Sequence, residues 1–240
     1  MSVLDIDGVN NFRDVGGLPA AGGRIRSGML LRSGQLSGAT TSGVNEVRSR
    51  VAHIVDLRDG EEVAAEPTEI EGPDTTHLPL FLGSVRSFFE TDTSLEDLYL
   101  HLLEESGERL VDAIRIIAAG EPTLVHCTVG KDRTGVTVAL ALAAVGADRE
   151  AIVADYALTE SLLPAERSER IAAYLRSQHP EAVHAVALAT QSPAPVMRAL
   201  LEGVDARWGS AADYLRANGM TDRELDDLRA ALVEEVPEQG

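Results

Sequence analysis

Cys127 is the only cysteine in the chain, and it stands in the run His126-Cys127-Thr128-Val129-Gly130-Lys131-Asp132-Arg133-Thr134-Gly135. Five residues separate it from Arg133, and the stretch that follows is apolar enough for a buried helix. A loop of that length closing on a helix start lets successive backbone N–H groups converge on one anion, and the helix terminus adds partial positive charge there. Arg133 supplies a planar fork that grips two phosphate oxygens, which a lysine cannot reproduce. A thiol at the floor of such a cup ionises readily and becomes a nucleophile. These residues suit attack of sulfur on phosphorus, giving a phosphocysteine that water then hydrolyses. Thr128, Val129, Gly130 and Lys131 are the expected anion-binding positions, and the Thr134 hydroxyl is placed to bond the sulfur and help it leave. A lone cysteine is most often an inert buried side chain. It is the conjunction with arginine, glycine and a following apolar helix that points to chemistry. Gly130-Lys131 is not a nucleotide-binding loop, because the Gly-x4-Gly-Lys-Ser/Thr spacing is absent.

The leaving oxygen needs a proton, and a carboxyl within hydrogen-bond reach is the obvious source. Asp132, Asp56, Asp59 and Asp92 are the candidates. Asp132 sits in the loop beside Arg133, and the less favoured reading makes it a plain partner of that arginine or a helix N-terminal charge. Asp56 falls at a strand end and is expected to orient Arg133 or Lys131. Asp92 lies in a Thr/Ser-rich stretch that reads as a loop. His126 neighbours the nucleophile and could tune it through hydrogen bonding.

The elements that must hold this loop follow from the flanking sequence. Pro122 to His126 reads as a strand and Thr134 to Ala147 as a helix apolar all round. Val51 to Leu57 is a short β-branched run suited to a buried strand, with Asp56 at its end. Further strands are expected at Gly28 to Ser33 and Thr75 to Leu80, and a helix over Thr41 to Arg50. Apolar residues recur at helical spacing from Ser94 to Ala119. Asn10 to Gly17 is polar and turn-rich. Beyond Tyr156 the pattern is helical and broken by Pro164, Pro180, Pro193 and Pro195; it resumes over Pro195 to Trp208 and over Thr221 to Val236, which Thr221 and Glu224 open as a capping box. Fraying is expected over Pro237 to Gly240. The predicted architecture is α/β: a central, mostly parallel twisted sheet flanked by helices, with a helical insertion near the C-terminal half. In such sheets ligands bind at the carboxyl ends of strands, where Cys127 and Asp56 both fall.

Composition bounds the rest. A length of 240 residues suits one domain over 1–240. Hydrophobic content is 44% and aromatic content only 4%, so aliphatic residues must fill the core. A net charge of −18, with no Lys/Arg-rich block, opposes nucleic acid or an anionic membrane as partner. The longest apolar stretch, Val136 to Val145, is too short to span a bilayer. The first ten residues lack a basic start and an apolar run, so a cytoplasmic location is the default. One cysteine excludes both an intrachain disulfide framework and a multi-cysteine metal site, and the chemistry calls for no metal and no cofactor.

With these residues in view, His126 to Gly135 resembles the phosphate-binding loop of the protein tyrosine phosphatase superfamily. Asn11-Phe12-Arg13-Asp14 with Gly16-Gly17, Leu31-Arg32-Ser33-Gly34, Asp56-Leu57-Arg58 and Asp155-Tyr156 are similar, in the same order, to motifs of its atypical bacterial branch. The resemblance implies a tyrosine-phosphatase-like fold, Asp132 as the general acid carried within the loop, and a helical lid, for which 160–192 is the candidate. It also matches Lys131 to a lysine shared with phosphatases that accept phosphoinositides. The expected substrate is a phosphotyrosine-bearing protein or peptide, extending to phosphoserine and phosphothreonine, with inorganic phosphate as product. The alternatives are a phosphoinositide phosphatase and, less favoured, a phosphate-binding pseudoenzyme, which would not need the thiol. Arsenate reductases of this kind generally need further cysteines, and there are none.

Overall fold

The computed structural model describes residues 1–68, 70–80 and 91–235. The strands are β1 (Ser2–Val3), β2 (Arg13–Asp14), β3 (Pro19–Ala20), β4 (Gly23–Ile25), β5 (Leu30–Ser33), β6 (His53–Asp56), β7 (Asp74–His77), β8 (Thr123–His126) and β9 (Val233–Glu235). The helices are α1 (Thr41–Arg50), α2 (Gly60–Ala65), α3 (Leu95–Glu105), α4 (Gly107–Ala118), α5 (Asp132–Ala144) and α6 (Arg149–Leu162). They continue as α7 (Ala165–Gln178), α8 (Ala185–Thr190), α9 (Ala194–Trp208), α10 (Ala211–Ala217) and α11 (Asp222–Leu232).

The expected α/β architecture is present. One sheet runs β1-β2-β5-β8-β6-β7, and its four central and outer strands β5, β8, β6 and β7 are parallel. β1 and β2 extend it antiparallel at the other edge. Strand side chains alternate between faces. Leu31, Ile54 and Leu124 therefore meet α1 through Val47 on one side. Leu30, Val55 and Val125 on the other face join the larger core built with α3, α4, α5 and the C-terminal helices. α5 is buried continuously from Arg133 to Leu142, as a helix apolar all round must be.

Register collects the site at one end. Ser33 pairs with His126, His126 with Asp56, and Asp56 with His77, so the carboxyl ends of all four parallel strands lie level. The residue after β8 is Cys127.

The differences from expectation are local. The periodic stretch 94–119 is two helices, because Ser106 ends α3, with its N–H bonded to Leu102 O, and serves as N-cap of α4. The last helix stops at Leu232, where β-branched Val233 leaves it to pair with Ile25 as β9. That strand closes a three-stranded sheet, β3-β4-β9, which had no periodic signal. The segment 10–17, turn-rich by composition, contributes β2. The end of the last expected helix at 236 and the frayed terminus lie outside the described residues. No helix among the described residues is long and apolar enough to cross a membrane.

Candidate active site

The chain turns from β8 into α5 through Cys127 to Lys131. Gly130 adopts φ +74, a left-handed conformation that glycine takes without strain, and a Cβ there would meet Ser33 O at 2.2 Å. Three successive carbonyls of this loop are held from outside. Gln35 N donates to Thr128 O at 3.0 Å. Asn11 Nδ2 donates to Val129 O at 3.1 Å and to Gly130 O at 3.0 Å, and Arg32 Nη2 donates to Gly130 O at 2.8 Å. In a planar trans peptide the N–H points opposite to the preceding C=O. Pinning these carbonyls outward therefore turns the N–H groups of Val129, Gly130 and Lys131 inward, as an anion cradle requires. One of them is seen doing so: Gly130 N lies 3.3 Å from Cys127 Sγ.

The outer pins rest on a buried charge cluster. Arg13 Nε bonds Asp155 Oδ1 at 2.7 Å, and Arg32 Nη1 bonds Asp155 Oδ2 at 2.6 Å. Arg13 also donates to Thr159 Oγ1 and to the side-chain oxygen of Asn11, which fixes the direction of the Asn11 amide. Asn11 itself has φ 61, a conformation asparagine tolerates. Burial and the neighbouring Arg32 charge pull the Arg13 guanidinium down to about 10. Burial works to raise Asp155, and the two arginines overcome it and hold the carboxyl below its ordinary range.

Cys127 is 3% exposed at the floor of the loop. Arg133, in the first turn of α5, is directed by a residue that composition and spacing did not single out. Its Nη1 and Nη2 bond Glu62 Oε2 and Oε1 at 2.5 and 2.7 Å, a two-point pair, and Nη1 also reaches Leu57 O at 3.3 Å. Thr128 Oγ1 donates to the same carboxylate. Burial alone would raise the Glu62 carboxyl; the bonds and charge of Arg133, with Thr128, bring it down to about 2. Burial opposes the charge on Arg133, and the Glu62 bonds and the nearby sulfur outweigh it, so Arg133 stays fully charged.

Asp56 does not orient Arg133 or Lys131. Its carboxylate turns to Arg58 two residues on, accepting from Nε at 2.9 Å and Nη2 at 2.7 Å, because a strand end followed by Leu57-Arg58 closes that ring locally. Desolvation pushes Asp56 up and the Arg58 bonds more than offset it. His126 is buried beneath the loop with Nδ1 3.3 Å from Cys127 O. Burial drives its pKa down to about 4, so the ring is neutral at neutral pH.

Asp132 opens α5. Its Oδ1 accepts from Lys131 Nζ at 2.6 Å and from Tyr99 Oη at 2.9 Å. Lys131 is 1% exposed and the Asp132 side chain 21%, so the ion pair is half-buried, with the lysine inside and the carboxylate reaching toward solvent. The Thr134 hydroxyl, expected on the sulfur, is buried with no hydrogen-bond partner among the described residues.

The carboxylates of the other two candidates are taken up by backbone N–H groups. Asp59 is the N-cap of α2, in a capping box with Glu62. Asp92 accepts from the backbone N–H groups of Val183 and His184 at 2.8 and 2.7 Å. No group of three or more His, Cys, Asp or Glu among the described residues could hold a metal ion. Glu62 was hidden because its local signature is that of a helix start, and Tyr99 because it reads as one more apolar position of α3.

The chain is similar to known proteins over most of its length. A model of the tyrosine phosphatase family matches residues 4–234. A triple specificity protein phosphatase, PtpB, of Mycobacterium tuberculosis is 29% identical over 97% of this chain and 100% of its own length. A tyrosine-protein phosphatase of Nostoc commune is 29% identical over 58% of this chain and 49% of its own. Among solved structures, P. aeruginosa TpbA aligns with 18% identity and a TM-score of 0.38, over 70% of this chain and 90% of that one.

Proposed function

This chain belongs to the tyrosine phosphatase family and is a phosphoric monoester hydrolase of that class, and we propose that it hydrolyses phosphotyrosine in proteins or peptides through a phosphocysteine on Cys127. The observation that carries this reading is the loop itself. Its three carbonyls are pinned outward, its Gly130 N–H meets Cys127 Sγ at 3.3 Å, and Arg133 is held in the first turn of α5.

In the proposed first step the loop N–H groups and Arg133 bind the non-bridging oxygens of the phosphoryl group. The Cys127 thiolate forms an S–P bond as the P–O bond to the phenol breaks. Asp132 gives its proton to the departing oxygen. In the second step water attacks phosphorus, Asp132 takes its proton, and the S–P bond breaks to release inorganic phosphate and the thiolate. Thr134 turns its hydroxyl to the sulfur at that moment. Asp56 and Arg58, with His126, support the floor of the loop. No cofactor enters either step.

The mycobacterial relative is described as a triple specificity protein phosphatase, which supports a range wider than phosphotyrosine alone, and phosphoserine and phosphothreonine are the proposed extension. A phosphoinositide preference rested on Lys131, and its ammonium is engaged by Asp132, which favours the protein substrate. The whole of 1–240 is taken as one phosphatase domain. The helical stretch within 160–192 is its proposed cover, tied by Asp92 to the turn that leads into α3.

The test is a substrate panel on wild type and Cys127→Ser, using phosphotyrosine, phosphoserine and phosphothreonine peptides and a soluble inositol lipid head group. Phosphotyrosine should turn over fastest in wild type, and Cys127→Ser should be inactive throughout. Faster hydrolysis of the head group would move the function to the lipid class; activity without the thiol would end the reading.

A further inference from the structure

We infer that Tyr99 is a positioning residue for the acid–base carboxylate, holding Oδ1 of Asp132 so that the exchangeable proton resides on Oδ2. The inference rests on the proposed role of Asp132. Tyr99 lies on α3, far along the chain from the loop, and its side chain is 1% exposed. Its hydroxyl is 2.9 Å from Asp132 Oδ1 and 2.6 Å from the Tyr156 hydroxyl.

A phenol has one proton to give. With the Tyr99 proton on Asp132, the short contact between the two phenols requires Tyr156 to be the donor. The result is a one-way chain, Tyr156 to Tyr99 to Asp132. Burial and the charge of Asp132 keep the Tyr99 phenol protonated throughout the working range, and burial does the same for Tyr156. The pair therefore donates and does not relay protons.

Lys131 Nζ occupies the same Oδ1 at 2.6 Å. Two donors on one oxygen leave it no use for a proton of its own. A protonated Asp132 must carry its hydrogen on Oδ2, and the carboxyl plane cannot rotate without breaking both bonds. An acid works only when its proton faces the leaving oxygen, and a misplacement of an ångström is costly. The two rings brace each other edge to face, with centroids 6.0 Å apart at 84°. The rest of the Tyr99 ring lines an apolar cavity of about 150 Å³ between α3 and α9, with Leu100, Leu103, Val196 and Trp208. Removing the hydroxyl alone thus leaves the ring its packing.

Tyr99→Phe is compared with wild type and Asp132→Asn on a phosphotyrosine peptide and on an aryl phosphate with a nitro-substituted, easily departing phenol. Tyr99→Phe should lower kcat roughly 10-fold on phosphotyrosine, a part of the whole general-acid contribution, with a change under about 2-fold on the activated ester. In the Asp132→Asn background it should add nothing further, since the two act as one unit. Tyr156→Phe removes only the second donor and should show the same pattern more weakly; it carries the test should Tyr99→Phe not fold. Equal losses on both substrates, or full additivity with Asp132→Asn, would make the role structural and overturn the inference. Should Asp132→Asn itself lose equally on both esters, the acid reading beneath it fails, and the inference with it.

Discussion

Replacing Glu62 by Gln keeps the shape of the side chain and removes the charge that directs Arg133. In the folded protein the Glu62 carboxyl sits at about 2, against 4.5 ordinarily. That gap, at about 1.4 kcal/mol per pH unit, amounts to about 3 kcal/mol favouring the ionised folded form. The Glu62 side chain is 20% exposed, so solvent screening trims the figure only modestly. The sign is that of a depressed acid. The contribution is fully present above pH 4.5 and is lost as pH falls toward 2. Urea unfolding at pH 7 should therefore show Glu62→Gln less stable by about 2–3 kcal/mol, with the difference narrowing below pH 4.5. Catalysis should suffer separately, because the two-point pair fixes the plane of Arg133. Losing a charge-assisted bond of this kind, about 1.5–3 kcal/mol, corresponds to roughly 10- to 100-fold in kcat/KM on a phosphotyrosine peptide. Unchanged stability at pH 7 with unchanged kcat/KM would refute the reasoning. Tighter binding of inorganic phosphate by Glu62→Gln would refute it differently, by showing that the carboxylate competes for Arg133.

The buried charges give two further tests. His126, at about 4 in the folded protein against 6.5 ordinarily, stays neutral inside while the unfolded chain takes up a proton. Stability should fall as pH drops from 6.5 toward 4, by about 2 kcal/mol at pH 5 from this residue, and urea midpoints of His126→Asn should be correspondingly flatter with pH. An identical slope in both proteins would contradict a neutral buried ring. Asp155→Asn leaves Arg13 and Arg32 without their shared carboxylate and should cost about 3–5 kcal/mol in urea unfolding, most of a small domain's margin. An unchanged midpoint would show that the cluster is dispensable.

What was legible in the sequence was whatever chemistry or periodicity is written locally. The Cys-x5-Arg loop, its strand and its helix are contiguous, and α1 and β8 follow from short-range pattern. Asn11, Arg13, Arg32 and Asp155 were visible as motifs, but their shared task, pinning the carbonyls of the loop, depends on approaches across more than a hundred residues. Glu62 reaches Arg133 across 71 residues and Tyr99 reaches Asp132 across 33, and neither pairing leaves a trace in spacing. Asp56 was misdirected for the opposite reason. Its strand-end position is near the site, but its partner is local, and nearness of backbone does not say where a carboxylate turns. Strands of two or three residues, such as β1 to β4 and β9, are too short to show alternation and are specified by their pairing partners.

The central claim, that turnover passes through sulfur, is tested most directly by acid-quenching wild-type enzyme during hydrolysis of a phosphotyrosine peptide and locating the trapped phosphoryl group by mass spectrometry. The added mass of one phosphoryl group should appear on Cys127, accumulate more in an Asp132→Asn variant given an activated aryl phosphate, and be absent from Cys127→Ser. Steady turnover with no label on Cys127, or with the label on another residue, would contradict the account.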